Sequence, residues 1–364
     1  MKGWIVGLSL LVVGCLLILF IPKKENTPPP EWMLTQIHDD LSPYKESGIS
    51  LQTLDQAAKD YLIFSPQNSF EVVRCRLHKG KVSIVDLLQK KDSYSRFKTI
   101  NKALKRLKSL PEVEFLVCIG DALDPKAALF FKKYHIPVLT FAKLQKDQTS
   151  VLIPDCTALS KKFCRKMQSR TSKGHDLFPW HEKEEKAFWR GATTGGALQL
   201  NDYQELPRIK LVYLSSEHPQ LIDAKLTVLG QIADPKIFEL LSPFVGKSVS
   251  LVDHLKYKYQ ILIDGNTCAY SRAYWQLFSD CLMFKQTSPN IQWYYKALFP
   301  YVHYVPIENN LSDLKEKIEW AQSHDKEAQA IVASANDFAQ NNLNKDAIDL
   351  YFQLFLQEYA KLQF

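Results

Sequence analysis

The stretch VEFLVCIGDALDPKAALFFKKYHIPVLTF, residues 113–141, decides the fold. It opens with a short apolar run, VEFLVCI, as expected of a central strand covered on both faces. Asp124-Pro125 then starts a helix that runs to Tyr134, and residues 136–141 form a second buried strand. Strand, helix and strand at this spacing predict an α/β layer.

The pattern extends on both sides. Residues 43–62 have helical periodicity, and FEVVRCRLHK (70–79) alternates like a half-buried strand, followed by strand-like residues 81–88. Residues 93–110 are basic and amphipathic, a surface helix. Residues 160–176 are basic, polar and weakly periodic, and a domain boundary is expected there. Beyond it comes HEKEEKAFWRGATTGG (181–196), a charged helical run, a strand at 186–189 and a turn of small and hydroxyl residues. Residues 195–203 lead into a helix, and 210–214 read as a strand. LVDHLKYKYQILIDGN (251–266) leads to a strand at 260–263 that ends at the turn Asp264-Gly265-Asn266. A helix at 273–279, strands at 281–284 and 302–305, and helices at 311–323, 326–341 and 346–362 complete the chain.

The 364 residues suffice for two domains, and 46% apolar with 23% charged residues is a globular composition. It excludes disorder and a multi-span membrane protein. A net charge of +7 suits an anionic ligand or a membrane surface but is too diffuse to argue for nucleic acid. The seven cysteines are irregularly spaced with no CxxC pair, so neither a zinc site nor a disulfide framework is expected, and a reducing compartment is favoured.

Residues 3–21, GWIVGLSLLVVGCLLILFI, carry no charge and just suffice to cross about 30 Å of hydrocarbon. An uncleaved anchor is the expected reading. A cleaved signal peptide would want a small-x-small site, and a lipoprotein signal at Cys15 conflicts with the apolar residues that follow it. The flanking lysines are nearly balanced, and a cytoplasmic catalytic domain is only slightly favoured. The expected organisation is an anchor (1–22), a Pro-rich spacer (23–42), an N-terminal α/β domain (43–175), a C-terminal α/β domain (176–340) and a closing helix (341–364).

Three places invite chemistry. Asp121 follows the apolar run at the carboxyl end of a strand, where open α/β sheets bind ligands. It either acts as a general base or, like Asp124, caps the next helix. Arg190, with Gly191, Thr193, Thr194 and Gly195, forms either a pyrophosphate-binding turn or a surface loop. Ser271 and Arg272 open a helix where N–H groups and a guanidinium can hold phosphate oxygens. There is no GxGxxG, no Walker P-loop and no GxSxG. His181, His254 and His303 lack metal-ligand spacing, no DxD triplet is present, and Trp293, Tyr294 and Tyr295 read as core.

In order along the chain, KAFWRGATTG (186–195), HPQLIDAK (218–225), LVDHLKYKYQILIDGN (251–266), YSRAYWQLFSDCLMFKQ (270–286) and WYYKALFPYVHYVPIENNLSDL (293–314) resemble the CAP10-like glycosyltransferases. That group contains Rumi-type protein O-glucosyltransferases and lipopolysaccharide-modifying bacterial relatives. The resemblance covers roughly residue 112 onward. It implies a GT-B architecture, two Rossmann-like domains facing a cleft, and metal-independent, inverting transfer with no cofactor beyond a UDP-sugar co-substrate. It implies Asp121 as base, Arg190 with Gly191, Thr193 and Thr194 as the phosphate turn, and Ser271 and Arg272 as nucleotide contacts. The family places an arginine where this chain has Ala273, so Arg272 substitutes or the register shifts by one. The chain ends KLQF, without an ER-retention signal, which favours a bacterial type. The expected activity is transfer of glucose or xylose to a glycan, lipid-linked saccharide or protein hydroxyl. The alternative is a non-catalytic binding protein of the same fold.

Overall fold

The computed structural model describes residues 28–64, 71–86 and 94–364. The apolar stretch 3–21 lies outside them, and among the described residues no helix is long and apolar enough to cross a membrane.

The N-terminal half runs α1 (Glu31–Leu41), α2 (Leu51–Phe64), β1 (Val72–His78), β2 (Lys81–Asp86), α3 (Tyr94–Leu104), β3 (Val113–Cys118), α4 (Pro125–Tyr134), β4 (Val138–Thr140), β5 (Lys143–Leu144), β6 (Ser150–Leu152) and α5 (Cys156–Leu159). Helix α6 (Lys161–Leu177) leads to β7 (Glu184–Ala192), α7 (Pro207–Glu217), β8 (Ile222–Val228), α8 (Lys236–Leu241), α9 (Leu251–His254), β9 (Tyr257–Leu262) and α10 (Tyr270–Leu277). The chain closes with β10 (Leu282–Gln286), β11 (Asn290–Ile291), β12 (Val305–Ile307), α11 (Leu314–Ser323), α12 (Asp325–Asn342) and α13 (Lys345–Lys361).

Two five-stranded sheets organise the molecule. The first has the order β2-β1-β3-β4-β6, with β1 antiparallel to both neighbours and β3, β4 and β6 parallel. Strand β3 is buried at all six positions, as its apolar sequence requires. The one charge within it, Glu114, accepts from Arg74 Nε at 2.9 Å and Nη2 at 2.7 Å. Without such partners a buried carboxylate would be costly. Asp124 caps α4 by accepting from the N–H groups of Lys126 and Ala127. The capping role therefore falls to Asp124, and Asp121 takes no part in it.

The second sheet is wholly parallel, in the order β12-β10-β9-β7-β8. Counted from β7, this is 5-4-3-1-2, so the winding reverses between β7 and β9. In doubly wound sheets that reversal opens a crevice at the carboxyl ends of the two strands.

Several elements differ from the sequence reading. Residues from Glu31 onward, expected as spacer, form α1; Met33, Ile37 and Leu41 recur at helical spacing and are buried. The helix expected over 43–62 starts at Leu51, and that over 93–110 ends at Leu104. The expected boundary at 160–176 is one continuous helix, α6, whose narrow buried stripe is Cys164, Met167, Thr171 and Gly174. The charged run before Phe188 is a short 3-10 turn followed by the start of β7. There Glu184 N–H donates to Lys256 O at 2.8 Å and Glu185 pairs with Lys258 at 2.7 Å, so partners across the strands draw a charged segment into the sheet. Residues 210–214 lie inside α7, because Ile209, Leu211 and Val212 are buried on a helical face rather than a pleated one. Strand β8 was not expected at all.

One core extends from the N-terminal sheet into the other half, taking in Leu262 of β9, Ala273, Tyr274 and Leu277 of α10 and Met283 of β10, while a second core lies within the C-terminal half. Helix α12 places Ile331 and Val332 in the second core and Phe338 and Ala339 in the first. Helix α13 returns wholly to the N-terminal half, with Tyr351, Phe352 and Phe355 in its core and Tyr351 Oη donating to Leu152 O at 3.1 Å. Trp293, Tyr294 and Tyr295 are core, as expected. A two-stranded antiparallel ribbon, β5 with β11, links the halves on one side of the cleft.

Candidate active site

The carboxyl ends of the two sheets meet. Beyond β3, Asp121 Oδ1 is held by Arg96 Nη2 of α3 at 2.7 Å, while Arg96 Nη1 donates to Ile119 O at 3.1 Å. Beyond β9, the Asn266 side chain spans the gap: its amide approaches Asp121 Oδ2 at 3.4 Å, and its carbonyl accepts from the Gly195 N–H at 3.2 Å. Tyr270 Oη at the start of α10 donates to Asp121 O. One asparagine thus joins the end of β7, the end of β9 and the carboxylate of the other half.

The turn after β7 is built by Arg208, the second residue of α7. Its Nη1 donates to Ala192 O at 3.0 Å and Thr194 Oγ1 at 2.7 Å, and its Nε to Asp264 O at 2.8 Å. A single guanidinium therefore ties together both strand ends at the winding reversal. Gly265 permits it: a Cβ there would lie 2.8 Å from Arg208 Nη2 and 2.7 Å from Thr194 Oγ1. Gly195 has φ +135°, which L side chains rarely adopt, so the turn needs glycine there as well.

The six residues expected at the nucleotide fall into two groups. Arg190 is engaged elsewhere: Nη2 pairs with Asp223 Oδ1 at 2.8 Å, Nη1 donates to Asp223 O and Trp189 O at 2.9 Å each, and the guanidinium lies 4.2 Å from the Phe188 ring centre. Thr193 is buried, exchanging hydrogen bonds with the backbone of Gly230 at 2.6 and 2.7 Å, and clamps the ends of β7 and β8. Gly191 lies within β7 against Trp189. Thr194, Ser271 and Arg272 remain at the crevice. Ser271 is exposed in the first turn of α10. Arg272 donates through Nη2 to Arg190 O, while its buried Nη1 has no partner.

The electrostatics of the two sides are opposed. Burial, then the neighbouring Arg208, pushes the Arg272 guanidinium down to about 9. Burial pushes Arg208 down to about 10 against the pull of Asp264. Two desolvated guanidiniums side by side, one with an unpartnered N–H, make a place where an anion relieves both repulsion and an unsatisfied donor. On the other side Glu71, just before β1, has its carboxyl raised by burial and then by Asp121 and Asp124. A cavity of about 540 Å³ opens beside Asp121, between Ala122, Leu129 and Lys132 of the N-terminal half and Asn266 and Asn290 of the other. Among the described residues no three His, Cys, Asp or Glu side chains gather as a metal-ligand set.

Arg208, Arg96 and Glu71 escaped the sequence reading. Arg208 sits behind Pro207 at a helix start, a position that looks like simple N-terminal chemistry. Arg96 and Glu71 reach Asp121 only through the packing of α3 and the β1–β3 pairing.

The profile of glycosyl transferase family 90 matches residues 25–364, so the chain belongs to the CAP10-like glycosyl transferase family 90. Curated relatives include a protein O-glucosyltransferase 2 from Danio rerio, 34% identical over 72% of this chain and 50% of that one. A protein O-glucosyltransferase 1 from Rattus norvegicus is 28% identical over 89% of this chain and 79% of its own length. The chain thus spans about half the length of the first of these relatives. Among solved structures, a sucrose-phosphate synthase from Thermosynechococcus elongatus has 13% identity and a TM-score of 0.40, covering 65% of this chain and 63% of that one.

Proposed function

We propose that the protein is an inverting, metal-independent glycosyltransferase of GT-B type that moves glucose or xylose from a UDP-sugar to an acceptor hydroxyl. The single observation that carries this is the Asn266 bridge, which brings the winding reversal of the parallel sheet against the carboxylate of Asp121. In this reading the diphosphate lies at the carboxyl ends of β7 and β9. Arg272 supplies the free guanidinium N–H, Arg208 fixes the turn and adds charge, and Thr194 and Ser271 add hydroxyl donors. The phosphate contact expected of Arg190 passes to Arg272, since the Arg190 fork is already filled by Asp223.

The acceptor enters the cavity beside Ala122 and Leu129. Its hydroxyl oxygen attacks the anomeric carbon from the face opposite the diphosphate, the bond from that carbon to the phosphate oxygen breaks, and the hydroxyl proton passes to Asp121. Arg96 holds Oδ1 of the carboxylate, leaving Oδ2, only distantly approached by Asn266, as the atom that takes the proton. Membrane attachment through residues 3–21 belongs to the same proposal.

For the acceptor, the anchor-like segment supports a glycan or lipid-linked saccharide of the lipopolysaccharide type. The names of the relatives support a protein serine or threonine instead. A panel of UDP-sugars tests the reading as a whole: the protein should bind UDP and slowly release sugar from at least one donor without acceptor. Absence of both binding and release leaves a non-catalytic member of the fold. Mass spectrometry of candidate glycan and protein acceptors then decides between the two classes.

A further inference from the structure

Residues 299–303, FPYVH, form a tight loop that displays apolar side chains to solvent. Phe299 is 57% exposed, and Tyr301 and Val302 are each 45% exposed. The loop is well ordered by its own bonds. The Phe299 N–H donates to His303 Nδ1 at 2.9 Å, the Tyr301 N–H to Tyr304 O at 2.7 Å, and the Val302 N–H to Phe299 O at 3.2 Å. Tyr301 has φ +57°, an uncommon conformation for so bulky a residue. Lys317 Nζ donates to its hydroxyl at 2.9 Å and the Trp320 ring lies edge-on at 5.6 Å, so α11 holds the strained residue in place. Backbone strain kept by surrounding contacts, at a place that exposes three apolar side chains, marks a surface with a use.

Its neighbours say what that use is. The His303 ring lies 5.2 Å from Phe338, and Phe338 lies 6.2 Å from Trp32 in the first turn of α1. The loop therefore sits beside the end of α1 at which the chain arrives from residues 3–21. Only nine residues, 22–30, separate that uncharged stretch from α1, a reach of at most about 30 Å when extended. Lys317, on the loop's own hydroxyl, supplies a cation suited to phospholipid headgroups, while nearby Lys296 is paired with Asp39 at 2.7 Å. Aromatic and apolar side chains beside lysines are the composition of a membrane–water interface.

We propose that Phe299, Tyr301 and Val302 dip into the bilayer interface and dock the protein on the membrane beside its anchor. This rests on the reading of residues 3–21 as an anchor. The docking would fix the tilt of the enzyme, so that the catalytic cleft stands at a constant height above the lipid.

The full-length protein, reconstituted in phosphatidylcholine–phosphatidylglycerol vesicles carrying a photoreactive phospholipid, tests it. After illumination, lipid adducts are mapped on peptides by mass spectrometry. Label is expected on 3–21 and on 299–303. It should be absent from α8, where Phe238 and Leu240 are exposed to a similar degree. Label on 3–21 without label on 299–303 overturns the docking while leaving the anchor intact. Label on 299–303 alone removes the anchor on which the docking rests and overturns the proposal, and equal label on the loop and α8 overturns it as non-specific sticking. The variant Val302→Asp should cut loop labelling by about tenfold or more, with anchor labelling unchanged.

Discussion

The two sheets bring opposite charge to one cleft. The mixed sheet of the N-terminal half ends in carboxylates, Asp121 and Glu71, with Arg96 holding Asp121 from the side. The parallel sheet of the C-terminal half ends in guanidiniums, Arg208 and Arg272, whose charge is left without a carboxylate contact in the crevice. The difference follows from topology. A parallel sheet whose winding reverses leaves a gap at its strand ends, and backbone carbonyls there draw arginine forks across it. The antiparallel β1–β3 pairing instead brings a loop carboxylate out to the rim. In the proposed reaction one side accepts a proton and the other holds an anion.

The largest blow to this division is Asp121→Asn. It should lower transfer about 10³-fold with UDP affinity unchanged by calorimetry, because it removes the proton acceptor and leaves the cation side whole. If UDP affinity falls instead, the two sides are not separate in function. Arg272→Ala should weaken UDP binding about 10- to 100-fold, the loss of one charge-assisted contact to a phosphate. Arg190→Ala, only two strand positions from the turn, should leave UDP affinity nearly unchanged and lower stability by about 1–3 kcal/mol in urea unfolding, since it strands Asp223. A reversal of these two outcomes would return the phosphate contact to Arg190.

The smallest effect concerns pH. Burial, then the charge of Arg272, holds the His254 pKa down to about 3. The unfolded imidazole takes up its proton near pH 6.5, the folded one far lower, so unfolding binds a proton across that window. Stability from this group is therefore complete above about pH 6.5 and is lost as pH falls, by up to about 1.4 kcal/mol per unit. Thermal unfolding of His254→Asn should show a flatter decline between pH 7 and 5 than the wild type.

How much of this was legible depended on whether the deciding contact was local. The run 113–119 declared a buried strand, Asp124-Pro125 declared the helix after it, and the carboxyl-end position of Asp121 followed from both. The Asp264-Gly265-Asn266 turn was equally plain. Helix α1 was hidden because its Pro-rich approach resembles a linker and its partners lie more than 300 residues away, with Trp32 bonded to Asn342 at the end of α12 and stacked on Tyr351 of α13. Strand β8, IDAKLTV, alternates as a half-buried strand does, but residues 210–214 looked more apolar and drew the assignment. Arg190 and Arg208 could not be ranked from the chain alone, since what separates them is Asp223 on one side and an open gap on the other.

The chain passes from one half to the other along α6 and comes back along α12, with the β5–β11 ribbon as a third attachment. Between these crossings α10 sets Ala273, Tyr274 and Leu277 into the core that also holds Phe115 and Leu139. Two bodies that share close-packed interior cannot part without opening a void. Any widening of the cleft would have to draw α10 out of that shared packing, so the rim behaves as one piece rather than as two leaves.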